Sequence, residues 1–166
     1  MNQLQVAGFL EHSTVNGEGF RSVLFLSGCP HHCPECHNAP MQDSNYGDLI
    51  NFEAILTRIE KVLPLIDGIT LSGGEPFAQA KELILFLEIL KNRFPRLTVW
   101  CYTGYTYENL TYDHTFCKLL HLIDVLIDGP FIAALKNPNL KYRGSSNQRI
   151  LKLVKNQPPV LLNLDK

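Results

Sequence analysis

The sequence predicts an α/β domain built on a mostly parallel sheet, and three observations carry the prediction. Unbroken apolar runs of strand length alternate with longer segments of helical period, in the order strand, helix, strand, helix, strand, helix, strand. Alternation of that kind is produced by right-handed strand–helix–strand crossovers. The loops that carry glycine or cysteine all follow strands, so they gather on one side of the sheet, where α/β proteins hold their ligands. Finally, 166 residues is the size of one domain, residues 1–166, and the chain shows no linker and no repeat.

In chain order, residues 3–10 alternate enough for a first strand or a strand-like lead-in. Residues 15–21 are a loop punctuated by Gly17 and Gly19. Residues 22–28 are apolar without alternation, as expected of a strand covered on both faces, and run directly into Cys29. A helix begins near Asn51, with Phe52, Ile55, Leu56, Ile59 and Leu63 along one side and Pro64 closing it. Residues 68–72 form a short buried strand that ends in Gly73-Gly74-Glu75-Pro76. A second helix covers residues 78–94, with Leu83, Phe86, Leu87 and Leu90 facing the core, and Pro95 stops it. Residues 97–102 are a third core strand, followed by Thr103-Gly104-Tyr105. A shorter helix over residues 116–122 leads to a fourth strand at 124–129. The tail turns apolar at Val160-Leu161-Leu162, after Pro158-Pro159, and either packs as an edge strand or stays mobile.

Composition narrows the function classes. The apolar fraction of 45% supports a real core. A net charge of −1 gives no broad electrostatic footprint for nucleic acid or an anionic membrane. No apolar run reaches membrane-spanning length, and Met1-Asn2-Gln3-Leu4-Gln5 lacks the pattern of a secretory signal, so a cytoplasmic protein is expected. Five cysteines, three of them together, fit a metal centre in a reducing compartment better than a disulfide framework.

Those three cysteines are Cys29, Cys33 and Cys36, in a segment that Pro30 and Pro34 keep from being a helix. Thiolates so spaced wrap a metal centre, and a cubane iron–sulfur cluster held by three cysteines keeps one iron free for chemistry. The alternative is zinc, with a fourth ligand from His31, His32 or His37, although adjacent Cys36 and His37 bind one ion awkwardly. Gly73-Gly74-Glu75-Pro76 read alone is a strand-to-helix turn.

Together, the cysteine triplet and Gly73-Gly74-Glu75-Pro76 resemble the radical S-adenosylmethionine superfamily. Asn16-Gly17-Glu18-Gly19-Phe20-Arg21 is similar to the Gly-Pro-Gly-x-Arg segment of glycyl-radical-enzyme activases, with Glu18 where proline is usual. The stretches WCYTGYTY (100–107), IDVLIDGPF (123–131) and RGSSNQRI (143–150) resemble the small activases of anaerobic ribonucleoside-triphosphate reductase, and the likeness spans most of residues 6–151. The resemblance implies an abbreviated partial (β/α) barrel. It implies a 4Fe–4S cluster on Cys29, Cys33 and Cys36, with S-adenosylmethionine chelating the fourth iron. Ser72, Gly73, Gly74 and Glu75 would line the methionine end, and Cys36, His37 and the backbone of Glu35 would adjoin the nucleoside. The reaction implied is reductive cleavage of S-adenosylmethionine, with an electron from a donor such as reduced flavodoxin or ferredoxin, to place a radical on a glycine of the reductase. Glu35 stands where many superfamily members carry an aromatic residue against the adenine.

Other residues carry weaker signals. Arg21 and Arg143 read alone as surface charges; by resemblance Arg21 meets a carboxylate or the cluster loop and Arg143 meets the partner. Thr103 and Gly104 are either ligand contacts or a simple turn, and Asp128 is a spare carboxylate or a cap. His12, His114 and His121 carry no motif, and Cys101 and Cys117 behave as small apolar side chains. Tyr102, Tyr105, Tyr107 and Tyr112 form either a docking surface or packing. Two rival functions stand beside the activase. One is a radical enzyme acting on a small molecule, like 7-carboxy-7-deazaguanine synthase, against which RGSSNQ and WCYTGYTY argue. The other is a non-catalytic metal-binding module.

Overall fold

In the computed structural model, which describes residues 2–165, the four apolar runs pair side by side as parallel strands. They are β2 (Arg21–Leu26), β4 (Gly68–Gly73), β5 (Thr98–Tyr102) and β6 (Val125–Asp128). Each lies next to the one that precedes it in sequence, joined in register. Crossovers of one hand between strands laid down in sequential order put every helix on the same face of the sheet. The helices do share one face. The buried side chains of α1 (Phe52–Val62), α2 (Ala80–Arg93), α3 (Tyr107–Leu110) and α4 (His114–Leu120) all belong to one apolar cluster, with Leu71, Cys101 and Leu126 from the strands.

The opposite face of the sheet is a second, smaller cluster with no helical residue in it. Trp100, Val125, Ile127 and Ile150 form it, with Tyr102, Tyr142, Leu162 and Leu164 packed against them. Strand side chains alternate between these two clusters, as the two-residue period requires.

The sheet is larger and less parallel than the sequence suggests. Its eight strands run in the order β3-β1-β2-β4-β5-β6-β7-β8. Three pairings are parallel and four antiparallel. The expected mostly parallel sheet is thus confined to the central four strands. β1 (Gln3–Ser13) and β3 (Asp48–Asn51) flank one side, and β7 (Arg149–Lys152) and β8 (Val160–Leu162) the other. Antiparallel neighbours need only short connections, and the exposed backbone edges of a parallel core are satisfied by recruiting them. The tail is therefore the edge strand of the two options, preceded by β7. The second helix starts two residues later than expected, because Pro76–Gln79 form a 3-10 turn first. No helix among the described residues is long and apolar enough to cross a membrane.

Candidate metal and cofactor site

The cysteine segment leaves the C-terminal end of β2 and is pinned at both ends. The Gly28 amide donates to Met41 O at 2.7 Å and the Cys29 amide to Gln42 O at 3.1 Å, while a 3-10 turn at Ala39–Gln42 returns the chain. Within the loop, His32 and Glu35 take left-handed backbone angles (φ 50° and 58°), which with the two prolines rules out helix. Cys29, Cys33 and Cys36 all line one open cavity of about 250 Å³, together with Ser72, Gly73 and Gly74 from the end of β4. The ends of β5 and β6 complete it, at Thr103, Gly104, Gly129 and Phe131.

Hydrogen bonds lock these strand ends to one another. Asn38 Nδ2 donates to Gly73 O at 3.1 Å, the Glu75 amide to Gly28 O at 2.7 Å, and the Gly74 amide to Leu26 O at 2.7 Å. Gly74 is required here, since a Cβ would fall 2.5 Å from Gly28 O and 2.6 Å from Met41 O.

Glu75 is fully buried and sits beneath the cavity. Its Oε1 meets His31 Nε2 at 2.6 Å and accepts from the Gly104 amide at 2.8 Å. Its Oε2 accepts from the Phe77 amide at 3.0 Å, and the Thr103 hydroxyl lies 2.9 Å from both oxygens. Glu75 thus braces three loops from a position behind the residues that line the cavity. The side chain of Glu35 is exposed and does not line the cavity, and its backbone takes a left-handed turn within the cysteine loop. His37, though exposed, does line it and stacks edge to face on Phe131.

The residues present fit a polynuclear cluster: the three thiols surround one cavity, and in a cubane cluster each thiolate holds a different iron. Burial pushes the Cys29 thiol up, with Glu75 and Cys33 adding to the rise against backbone donation from His31 and His32. A thiolate there is favoured only beside a cation.

The remaining sequence candidates fall elsewhere. Arg21 is buried at the N-terminal end of β2, away from the cysteine loop, and meets no carboxylate. Its guanidinium donates to Thr70 Oγ1 and to the carbonyls of Glu18, Ile69 and Thr98, and lies 5.4 Å from the Trp100 ring centroid. Desolvation brings its pKa down to about 10. Asp128 caps α3 through the Tyr107 amide at 2.7 Å and pairs with Arg149. Arg143 pairs with Asp165 and donates to Gln148 O. Cys101 is buried in β5 and Cys117 lies on α4, neither near the triplet loop's cavity. A larger cleft, about 620 Å³, lies beyond the other end of β6, between His121 and Pro158, and brings no thiol together.

Sequence reasoning passed over Asn38, Phe131, Gly129 and the Gly144 to Gln148 loop as site residues. The signal for the last two was present, since IDVLIDGPF and RGSSNQ stood out, but their meeting point depends on strand order. Gln148 Oε1 accepts from the Gly144 and Ser145 amides, and its Nε2 donates to Gly129 O at 3.1 Å.

A singly wound sheet whose strand ends present three thiols to one cavity defines the class as an iron–sulfur protein with one cluster. A family model described as a 4Fe-4S single cluster domain matches residues 15–151. The chain is 36% identical over 155 residues to the anaerobic ribonucleoside-triphosphate reductase-activating protein of Haemophilus influenzae, covering 90% of this chain and 97% of that one. It is 37% identical to the protein of that name from Vibrio cholerae (82% and 90% covered) and 34% identical to that of Enterobacteria phage T4 (82% and 86%). The chain belongs to the family of anaerobic ribonucleoside-triphosphate reductase-activating proteins.

Proposed function

We propose that this chain is a radical S-adenosylmethionine activase that acts on a glycine of anaerobic ribonucleoside-triphosphate reductase. The observation that carries the reading is the shared cavity: the cysteine triplet after β2 and the Gly73-Gly74 backbone after β4 face the same space. When bound, a 4Fe–4S cluster and S-adenosylmethionine supply a one-electron cleavage to methionine and a 5′-deoxyadenosyl radical, which takes a hydrogen atom from the partner's glycine. The electron would come from a low-potential donor such as reduced flavodoxin or ferredoxin.

The protein's part is placement. Cys29, Cys33 and Cys36 hold three irons. Ser72, Gly73 and Gly74 line the methionine end, where the absence of side chains at the two glycines lets a ligand approach the backbone. Glu75 fixes these elements from below through His31, Thr103 and Gly104. Helices on one face and the sequential order of the four parallel strands support an arc of the partial-barrel type, open on the cavity side. That opening suits a partner that covers the site. Five free thiols suit a reducing, cytoplasmic setting.

The test is anaerobic reconstitution, reduction with dithionite and assay for 5′-deoxyadenosine from added S-adenosylmethionine, with and without the reductase. Cleavage in the wild type and none in Cys33→Ala is expected. A chain with full iron and sulfide that yields no 5′-deoxyadenosine even with the reductase would overturn the reading, as would zinc in place of iron.

A further inference from the structure

The residue before Cys36 is Glu35, and it does not face the cavity. An aromatic ring reaches the cavity from a different loop. Phe131 lies three residues past the end of β6 and lines the cavity half-buried. Its ring stands edge to face with His37, centroids 5.4 Å apart and planes at 65°. It rests on Gly144, where an added Cβ would lie 3.1 to 3.3 Å from ring carbons, so any larger residue would press on the ring.

The seat under Phe131 is built rather than incidental. Gln148 ties the Gly144 amide to Gly129 O, and Asn147 Nδ2 donates to Pro130 O at 2.7 Å. These bonds join residues 129–131 to residues 144–148 and hold the ring at the side of the cavity away from β2. Tyr102, the other phenyl ring in the lining, belongs to the inner cluster around Trp100. Phe131 is therefore the phenyl ring free to meet a planar group in the cavity, with the His31 imidazole held on Glu75 and His37 set edge to face against Phe131.

We propose that Phe131, seated on Gly144 and braced by His37, is the wall on which the adenine of the bound nucleoside cofactor stacks. This rests on the reading of the site as one for S-adenosylmethionine. A base stacked on an aromatic side chain typically gains about tenfold or more in affinity, and a preformed ring gives that gain without ordering a loop.

The experiment measures binding of S-adenosylmethionine, and of L-methionine as the probe without a base, to the reconstituted chain by anaerobic equilibrium dialysis. Iron and sulfide are counted in parallel. In Phe131→Leu, which keeps the apolar bulk and removes the ring, Kd for S-adenosylmethionine rises about tenfold, while L-methionine affinity and iron content stay at wild-type values. Phe131→Tyr restores binding to within about twofold of the wild type. Unchanged S-adenosylmethionine affinity in Phe131→Leu overturns the proposal alone. So does an equal loss for both probes, or a loss of iron, since either makes the ring a support for the cluster loop. Failure of the iron-replete wild type to bind S-adenosylmethionine overturns the reading of the site, and this proposal with it.

Discussion

Glu75 sits where three loops meet and accepts hydrogen bonds from four residues while exposing no surface. A buried carboxylate satisfied this fully is stabilising only as a set, because removing one acceptor strands donors that cannot reach water. Replacing one oxygen by an amide nitrogen in Glu75→Gln faces a donor with a donor. Loss of about 2 kcal/mol of stability, read by urea unfolding of the apoprotein, is expected, together with less iron taken up on reconstitution. Unchanged values in both measurements would show that the network is dispensable. The residue was legible in the sequence as part of Gly73-Gly74-Glu75-Pro76. Its role was not, since its partners His31 and Gly104 are 44 and 29 positions away. Arg21 makes the same point in the other direction. The family resemblance implied that it meets a carboxylate or the cysteine loop, and the fold uses it to close the opposite end of the sheet over Trp100.

The elements follow their local chemistry closely. α1 begins at Asn51, whose side chain accepts from the Ala54 amide at 2.8 Å, and its apolar side buries Phe52, Ile55, Leu56 and Ile59. That start and that face were both readable from the spacing of apolar residues. Asn51→Ala removes the cap and lowers stability by about 1 kcal/mol, measurable as a shift of the thermal midpoint, with the cysteine cavity unaffected because α1 packs in the core and contributes no residue to the cavity lining. The strands that escaped notice, β3 and β7, are four residues each. Each holds only two apolar residues between polar ones, unlike the unbroken apolar runs of β6 and β8, and they become strands because β1 and β6 offer them unpaired edges. For β8 the apolar run after two prolines left two options, edge strand or mobile tail, and pairing with β7 decides for the strand.

At the scale of the molecule, the core and the site are separate structures. The large apolar cluster lies between sheet and helices, while the cavity opens at the strand ends. Chelation of the metal should therefore leave the fold standing. The apoprotein is expected to keep the far-ultraviolet circular dichroism of an α/β protein, while limited proteolysis shifts to residues 29–38, the loop that the cluster thiols would organise. Global unfolding on chelation would show that the cluster is part of the core. The class of fold, the cysteine triplet and its glycine-rich companion were properties of short stretches of chain, because apolar period, turn chemistry and ligand spacing act over a few residues. The tertiary structure alone decided which stretches meet: that the sheet is mixed, that Glu75 is a brace, and that Phe131 and the Gly144 loop line the same cavity as Cys36. Those contacts depend on strand order and on hydrogen bonds between residues far apart in the chain, and no local pattern encodes them.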